Sequence, residues 1–160
     1  MANKLEITLP SDREIVITRS FDAPRDLVWD CYTQPALVRR WLLGPPGWEM
    51  TTCEIDLRVG GAWRWELVGP GGQKMGLGGI YQEIIPFERL VSSEKFDESW
   101  YEGEAVSSIT LVESNGVTTL TMTILYASKE VRDAVLKTPM AEGVGAGLEK
   151  LADILVSLAA

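Results

Sequence analysis

No histidine occurs anywhere in the 160 residues. Its absence removes the commonest general base near neutral pH, the Ser-His and Cys-His nucleophile pairs, and the commonest transition-metal ligand. Any catalysis has to run on carboxylates, lysines, tyrosines or water, and neither a metal nor a cofactor is expected. Cysteine is nearly as scarce. Cys31 and Cys53 are the only two, far apart and without a second metal-ligand pair, which argues against a zinc cluster or a disulfide framework and for reduced, buried thiols. No run approaches the roughly 18 apolar residues that cross a bilayer, and residues 1–14 lack a basic segment followed by an apolar one. The expectation is a cytoplasmic protein without membrane insertion. Positive charge is short as well: 15 Lys and Arg face 23 Asp and Glu, a formal charge of -8. That field repels phosphate backbones, so nucleic acid is not an expected partner.

What is present suits one folded domain over residues 1–160. Apolar residues make up 46% and charged ones 24%, enough for a continuous core and too little polarity for long disordered tracts. Lys4 to Leu9 and Glu14 to Phe21 alternate as strands around the turn signal Pro10-Ser11-Asp12. Asp22-Ala23-Pro24 opens a short helix to about Tyr32, and Thr33-Gln34-Pro35 opens a second that stops at Gly44-Pro45-Pro46-Gly47. From Met50 to Tyr126 the pattern is strands with glycine-rich breaks: Met50 to Leu57, Ala62 to Val68, Lys74 to Ile85, Arg89 to Phe96, Ala105 to Glu113 and Val117 to Tyr126. Connections this short predict an antiparallel meander. In the last strand Leu120, Met122, Ile124 and Tyr126 share one face and threonines the other, so something must cover the apolar side. A short helix from Ser128 to Leu136 precedes a long one from about Met140 to Leu158, whose Val144, Leu148, Leu151, Leu155 and Leu158 make an apolar stripe.

Among candidate functional residues, Trp63 and Trp65 share the inward face of their strand with Leu67, while Arg64 and Glu66 face out. Flat rings with one polar edge line an apolar pocket well. Trp29 and Trp41 read as core. Tyr81, Tyr101 and Tyr126 each carry a hydroxyl able to meet a ligand, and Tyr81 is the one selected. Met75 and Met140 offer an adaptable wall. Asp56 and Arg58 before Gly60-Gly61 read as a structural ion pair at a hairpin rather than a substrate clamp. Gly76, Gly78 and Gly79 resemble a phosphate loop only superficially, since no helix follows; they predict bulges or sharp bends in a curling sheet.

Several stretches, in order, resemble the START-like, helix-grip (SRPBCC) superfamily, and within it the group similar to the activator of the ninety-kilodalton heat-shock-protein ATPase (AHSA-like). They are Phe21-Asp22-Ala23-Pro24 with Val28-Trp29, Thr33-Gln34-Pro35 through Arg40-Trp41, Gly44-Pro45, Asp56 to Trp63, Gly79 to Ile84, and Pro86 to Leu90. The resemblance implies an α+β helix-grip fold: a curved antiparallel sheet of six or seven strands around a long C-terminal helix, with two short helices after the first strand. It further implies a cavity that in many relatives receives lipids, polyketides or aromatic compounds. Its walls are then expected from Trp63, Trp65, Met75, Tyr81 and Met122 on the sheet and from Met140, Val144, Gly147, Leu148 and Leu151 on the helix. Relatives often place a bulky aromatic soon after the position of Gly143. Here Val144 is followed by Gly145, Ala146 and Gly147, which either leaves volume unfilled for a packing or ligand reason or marks a bent, irregular entry to the helix, at a cost of about 1 kcal/mol per glycine. Binding of a small hydrophobic molecule without catalysis is the expected function, in a setting such as stress response. Two alternatives stay open: a chaperone-associated interaction domain, and an enzyme like the polyketide cyclases and aromatases. The separate N-terminal domain of the eukaryotic activators is not found in these residues, and no convergent carboxylate pair is evident for an enzyme. A protein partner or a homodimer stays open too.

Overall fold

The computed structural model describes residues 5–42, 47–98, 103–138 and 140–159. Gly44-Pro45-Pro46, Tyr101 and Pro139, which entered the sequence reading, lie outside them. The chain order is β1 (Glu6–Thr8), β2 (Glu14–Phe21), α1 (Arg25–Thr33), α2 (Pro35–Trp41), β3 (Glu49–Ile55), β4 (Ala62–Val68), β5 (Lys74–Ile85), β6 (Arg89–Phe96), β7 (Ala105–Ser114), β8 (Val117–Leu125), α3 (Lys129–Leu136) and α4 (Met140–Ala159).

The strands form one sheet in the order β1-β2-β8-β7-β6-β5-β4-β3, antiparallel at every junction. β3 to β8 are a meander, and β8 returns to pair with β2, from Glu14 opposite Leu125 to Phe21 opposite Thr118. The sheet has eight strands rather than six or seven. The three-residue β1 accounts for the excess, pairing Ile7 with Ile17 at one edge.

Alternation decides which face is covered. In β2, Ile15, Ile17, Arg19 and Phe21 are buried while their neighbours are only partly so. In β8, Leu120 and Ile124 are buried between partly exposed threonines. The cover is α4, whose Leu148, Leu151, Ile154 and Leu155 are buried. Full burial of a leucine or isoleucine contributes about 1.5–3 kcal/mol, so these four outweigh the poor helix propensity of Gly143, Gly145 and Gly147. Arg19 ties helix to sheet: it is 4% exposed, lies 5.1 Å from the Phe21 ring centre, and reaches Glu149 of α4 at 3.0 Å.

The helix starts differ in detail from the sequence reading. Of the opening Asp22-Ala23-Pro24, it is Pro24 that occupies the cap of α1, and no side chain caps it. Ser128 does cap α3, accepting from the Val131 amide. The glycines of β5 also behave differently. The irregularities in register fall between Tyr81 and Glu83 and, in β3, between Met50 and Thr52, whereas Gly76, Gly78 and Gly79 permit close approach. A side chain on Gly79 would run into the Ser93 carbonyl, and one on Gly76 would meet the Arg64–Asp97 pair. Asp56 and Arg58 form an ion pair of 2.9 Å, beyond the end of β3 and largely in solvent, where such a pair contributes about 0–1 kcal/mol.

Candidate functional site

A cavity of about 360 Å³ opens between the inner face of the sheet and the first turns of α4. Strands β4 to β8 supply its floor because inward residues recur with period two: Trp63, Trp65 and Leu67, then Met75, Leu77 and Tyr81, then Leu90, Ser92, Glu94 and Phe96. Ser107, Ile109, Met122 and Ile124 extend the floor, and Tyr126 follows β8. The roof is Met140, Gly143, Val144, Gly147 and Leu148 of α4, with Val135 and Thr138 at one side and Tyr32, Trp41 and Leu42 at the other.

The glycines explain why the roof stands off the floor. A Cβ on Gly143 would meet nothing within 4 Å, and one on Gly147 would come no closer than 3.7 Å to the Trp41 carbonyl oxygen. Gly145 points elsewhere, toward Leu5 at 3.5 Å, so two of the three glycines, not all three, open the space.

Of the residues selected from sequence, Trp63, Trp65, Met75, Tyr81, Met122, Met140, Val144, Gly147 and Leu148 line this cavity. Leu151 does not. It is fully buried in the core one turn beyond Leu148, where the helix has come down onto its neighbours. Trp29 is core, as read. Trp41 is both core and cavity wall: its indole N–H donates to the Cys31 carbonyl at 2.8 Å and its ring meets Tyr32 edge-on at 4.8 Å. Tyr126, set aside in favour of Tyr81, also borders the cavity.

Polar groups are few and unevenly satisfied. The Trp63 and Trp65 rings stack tilted at 4.4 Å between centres, and both indole N–H groups are buried without a hydrogen-bond partner among the described residues. For Trp65 the neighbour is the Cys53 thiol, a weak acceptor that the N–H influences without completing a bond of good geometry. For Trp63 nothing comparable is found. The Tyr32 hydroxyl is likewise buried and unpartnered.

Sequence reading missed Glu94. In Arg89-Leu-Val-Ser-Ser-Glu-Lys-Phe a glutamate beside a lysine looks solvent-facing. The signal was the period of two running Leu90, Ser92, Glu94, Phe96 on the inner face. Glu94 retains some accessible surface, but it borders the cavity. Surrounded by protein rather than bulk water, its carboxyl is pushed up to about 7 by burial alone. It is the one carboxyl, and no cation accompanies it, among the described lining residues. Burial likewise pushes the thiols up, Cys31 to about 11 and Cys53 in the same direction, and raises the tyrosines Tyr32 and Tyr81. Both cysteines are free and buried. Among the described residues no three of His, Cys, Asp or Glu gather to hold a metal ion, and no helix is long and apolar enough to cross a membrane.

A sheet cupping a terminal helix over an apolar void agrees with the sequence comparison. The family of Activator of Hsp90 ATPase homolog 1-like proteins matches residues 22–156. The chain belongs to this family. Among solved structures, a Rhodobacter sphaeroides protein is 33% identical over 97% of this chain and 99% of its own, with a TM-score of 0.91. Protein CV1439 from Chromobacterium violaceum is 29% identical over 88% of this chain and 96% of its own, with a TM-score of 0.76. An AHSA1 protein from Silicibacter pomeroyi, at 19% identity over 89% of this chain and 97% of its own, shares the fold with a TM-score of 0.71. No curated protein matches the sequence. Membership in this AHSA-like branch of the START and SRPBCC proteins fits the open antiparallel sheet and the C-terminal helix, and it is compatible with either small-molecule or protein partners.

Proposed function

We propose that this protein binds an apolar or aromatic small molecule in the cavity beneath α4, without performing chemistry on it. One observation carries the reading: protein interiors close to crystal-like packing, yet here about 360 Å³ stays open under a helix whose Gly143 and Gly147 withhold side chains. That volume is within the range of ligand sites, and the walls are mainly aliphatic and aromatic, as such sites require. Trp63 and Trp65 give a bound ring system two faces to meet.

Titration with polycyclic aromatic compounds is expected to change the tryptophan fluorescence saturably, because Trp41, Trp63 and Trp65 all border the space. Native mass spectrometry of gently purified protein is expected to show a co-purified small molecule. A flat titration across compound classes, together with a bare protein mass, would turn the reading toward a protein-interaction role for the domain's outer surface.

A further inference from the structure

The cavity floor carries a polar constellation that simple shelter for a hydrocarbon does not require. We propose that the ligand presents a neutral acceptor oxygen, in the first instance a carbonyl, held jointly by the Trp63 indole N–H and the carboxyl of Glu94. This inference rests on the cavity-binding reading and adds the chemistry by which the ligand is oriented.

The register brings the two groups together. Trp63 pairs with Gly79, and the pairs Gly78–Lys95 and Tyr81–Ser92 put Gly79 opposite Glu94. Trp63 and Glu94 therefore stand two strands apart, about 10 Å between backbones at the usual strand spacing. The residue between them has no side chain. Into that gap the indole leans: its Nε1 is 2.9 Å from where a Cβ of Gly79 would stand, a point that itself lies against the Ser93 carbonyl of β6. The donor thus reaches from β4 toward the gap between β5 and β6, the strand that carries Glu94. Trp63 is 5% exposed, and its N–H has no hydrogen-bond partner among the described residues. An indole nitrogen can only donate, so whatever completes this site must accept.

Glu94 decides between acceptors. An anionic ligand would meet a carboxyl in a water-poor space with no cation to offset it, and an ammonium would satisfy Glu94 while leaving the Trp63 N–H unpaired. A carbonyl oxygen has two lone pairs and takes both donors once Glu94 holds its proton. Burial favours that proton near neutral pH. The other titratable groups facing the cavity are the phenols Tyr32 of α1, Tyr81 of β5 and Tyr126 after β8, and burial holds Tyr32 and Tyr81 above the ordinary phenol range. Lys95 of β6 and Asp97 just beyond its end are exposed, Asp97 pairing with Arg64. From the helices, Glu142 of α4 and Arg39 and Arg40 of α2 are exposed, and Glu149 is engaged by Arg19.

The test compares three probes of one shape by calorimetry: 2-acetonaphthone, its olefin isostere 2-isopropenylnaphthalene, and 1-(2-naphthyl)ethylamine. The ketone is expected to bind at least several-fold more tightly than the olefin below neutral pH, with the advantage fading as pH rises through about 7. Trp63→Phe removes ring contact for both probes and the N–H for the ketone alone, so it should weaken the ketone more than the olefin and shrink the ketone's advantage. Glu94→Gln, which keeps a donor, should abolish the pH dependence. Equal, pH-independent binding of ketone and olefin overturns the oxygen clamp and leaves apolar binding standing. Amine affinity that grows above pH 7 and exceeds the ketone's overturns it in favour of a cation site. Failure of all three probes to bind removes the cavity-binding reading together with this inference.

Discussion

Glu94 sets a pH dependence of stability that can be separated from binding. Its carboxyl ionises at about 7 in the fold against 4.5 for a free side chain, so the folded state holds a proton that the unfolded chain has released between those values. Stability is therefore greatest on the acid side of the window, declines as pH rises through it, and levels off above about 7. The full loss is on the order of 3 kcal/mol, an upper bound because water reaching the cavity would soften it. The surface carboxylates work in the opposite direction and at lower pH. Glu66 accepts from the Thr52 hydroxyl and then from Arg64, Asp97 accepts from Arg64, Asp133 is engaged by Lys129 and Arg132, and all three are held below the usual carboxylate range, so what they contribute is lost only on strong acidification. Glu94→Gln should flatten the decline and leave the variant more stable than the parent at about pH 8, read as a higher urea midpoint with an unchanged slope. A midpoint that is lower at both ends of the window would show that the carboxylate is a needed partner rather than a burden. The tryptophans were legible from alternation at this scale, whereas Glu94 was not: charge in a sequence suggests solvent, and only the backbone shows that the neighbouring position is an empty glycine.

Elements were more legible than residues because periodicity is set by backbone geometry, which local sequence reports directly. β4, β5 and β6 begin and end where the apolar alternation does, and α4 runs from Met140 to Ala159, one residue past its expected end. What local pattern did not report is where along α4 the stripe stops lining the cavity and becomes core. Leu148 does both, while Leu151 is wholly core, because that distinction depends on how the helix seats and not on its own period. Leu151→Asp should therefore unfold the domain or leave it without fixed tertiary packing, since it places a carboxylate in the core with no partner. Asp153→Ala, on the exposed face of the same helix, should stay within about 0.5 kcal/mol of the parent. Near-ultraviolet circular dichroism and denaturant midpoints distinguish the two, and similar midpoints would mean that the buried face has been misassigned.

The cavity belongs to the molecule as a whole, since it exists only where β4 to β8 and the helices α1, α2, α3 and α4 meet. Its volume was foreshadowed by missing side chains near the start of the last helix, but its depth follows from where Trp41 and Tyr32 support that helix from the side. Both relevant glycines lie in a helix, where each forgoes about 1 kcal/mol relative to a good helix former. Replacing either by leucine should recover that increment and add apolar contact, because a Cβ at Gly143 enters open space and one at Gly147 meets Trp41 at ordinary distance. Thermal stability should accordingly rise in Gly143→Leu and Gly147→Leu. Ligand response should fall, since the new side chains occupy the volume that an aromatic compound would use. Such opposed changes are what a fold gives when it keeps space open for function at the expense of packing. The measurement is a pair of curves on each variant, a thermal melt and a tryptophan-fluorescence titration with 2-acetonaphthone. Higher melting temperature with loss of the saturable signal places binding under α4. A higher melting temperature with the titration intact in both variants would place the ligand elsewhere on the molecule, and a lower one would mean that the glycines serve the helix's fit to its neighbours rather than an open cavity.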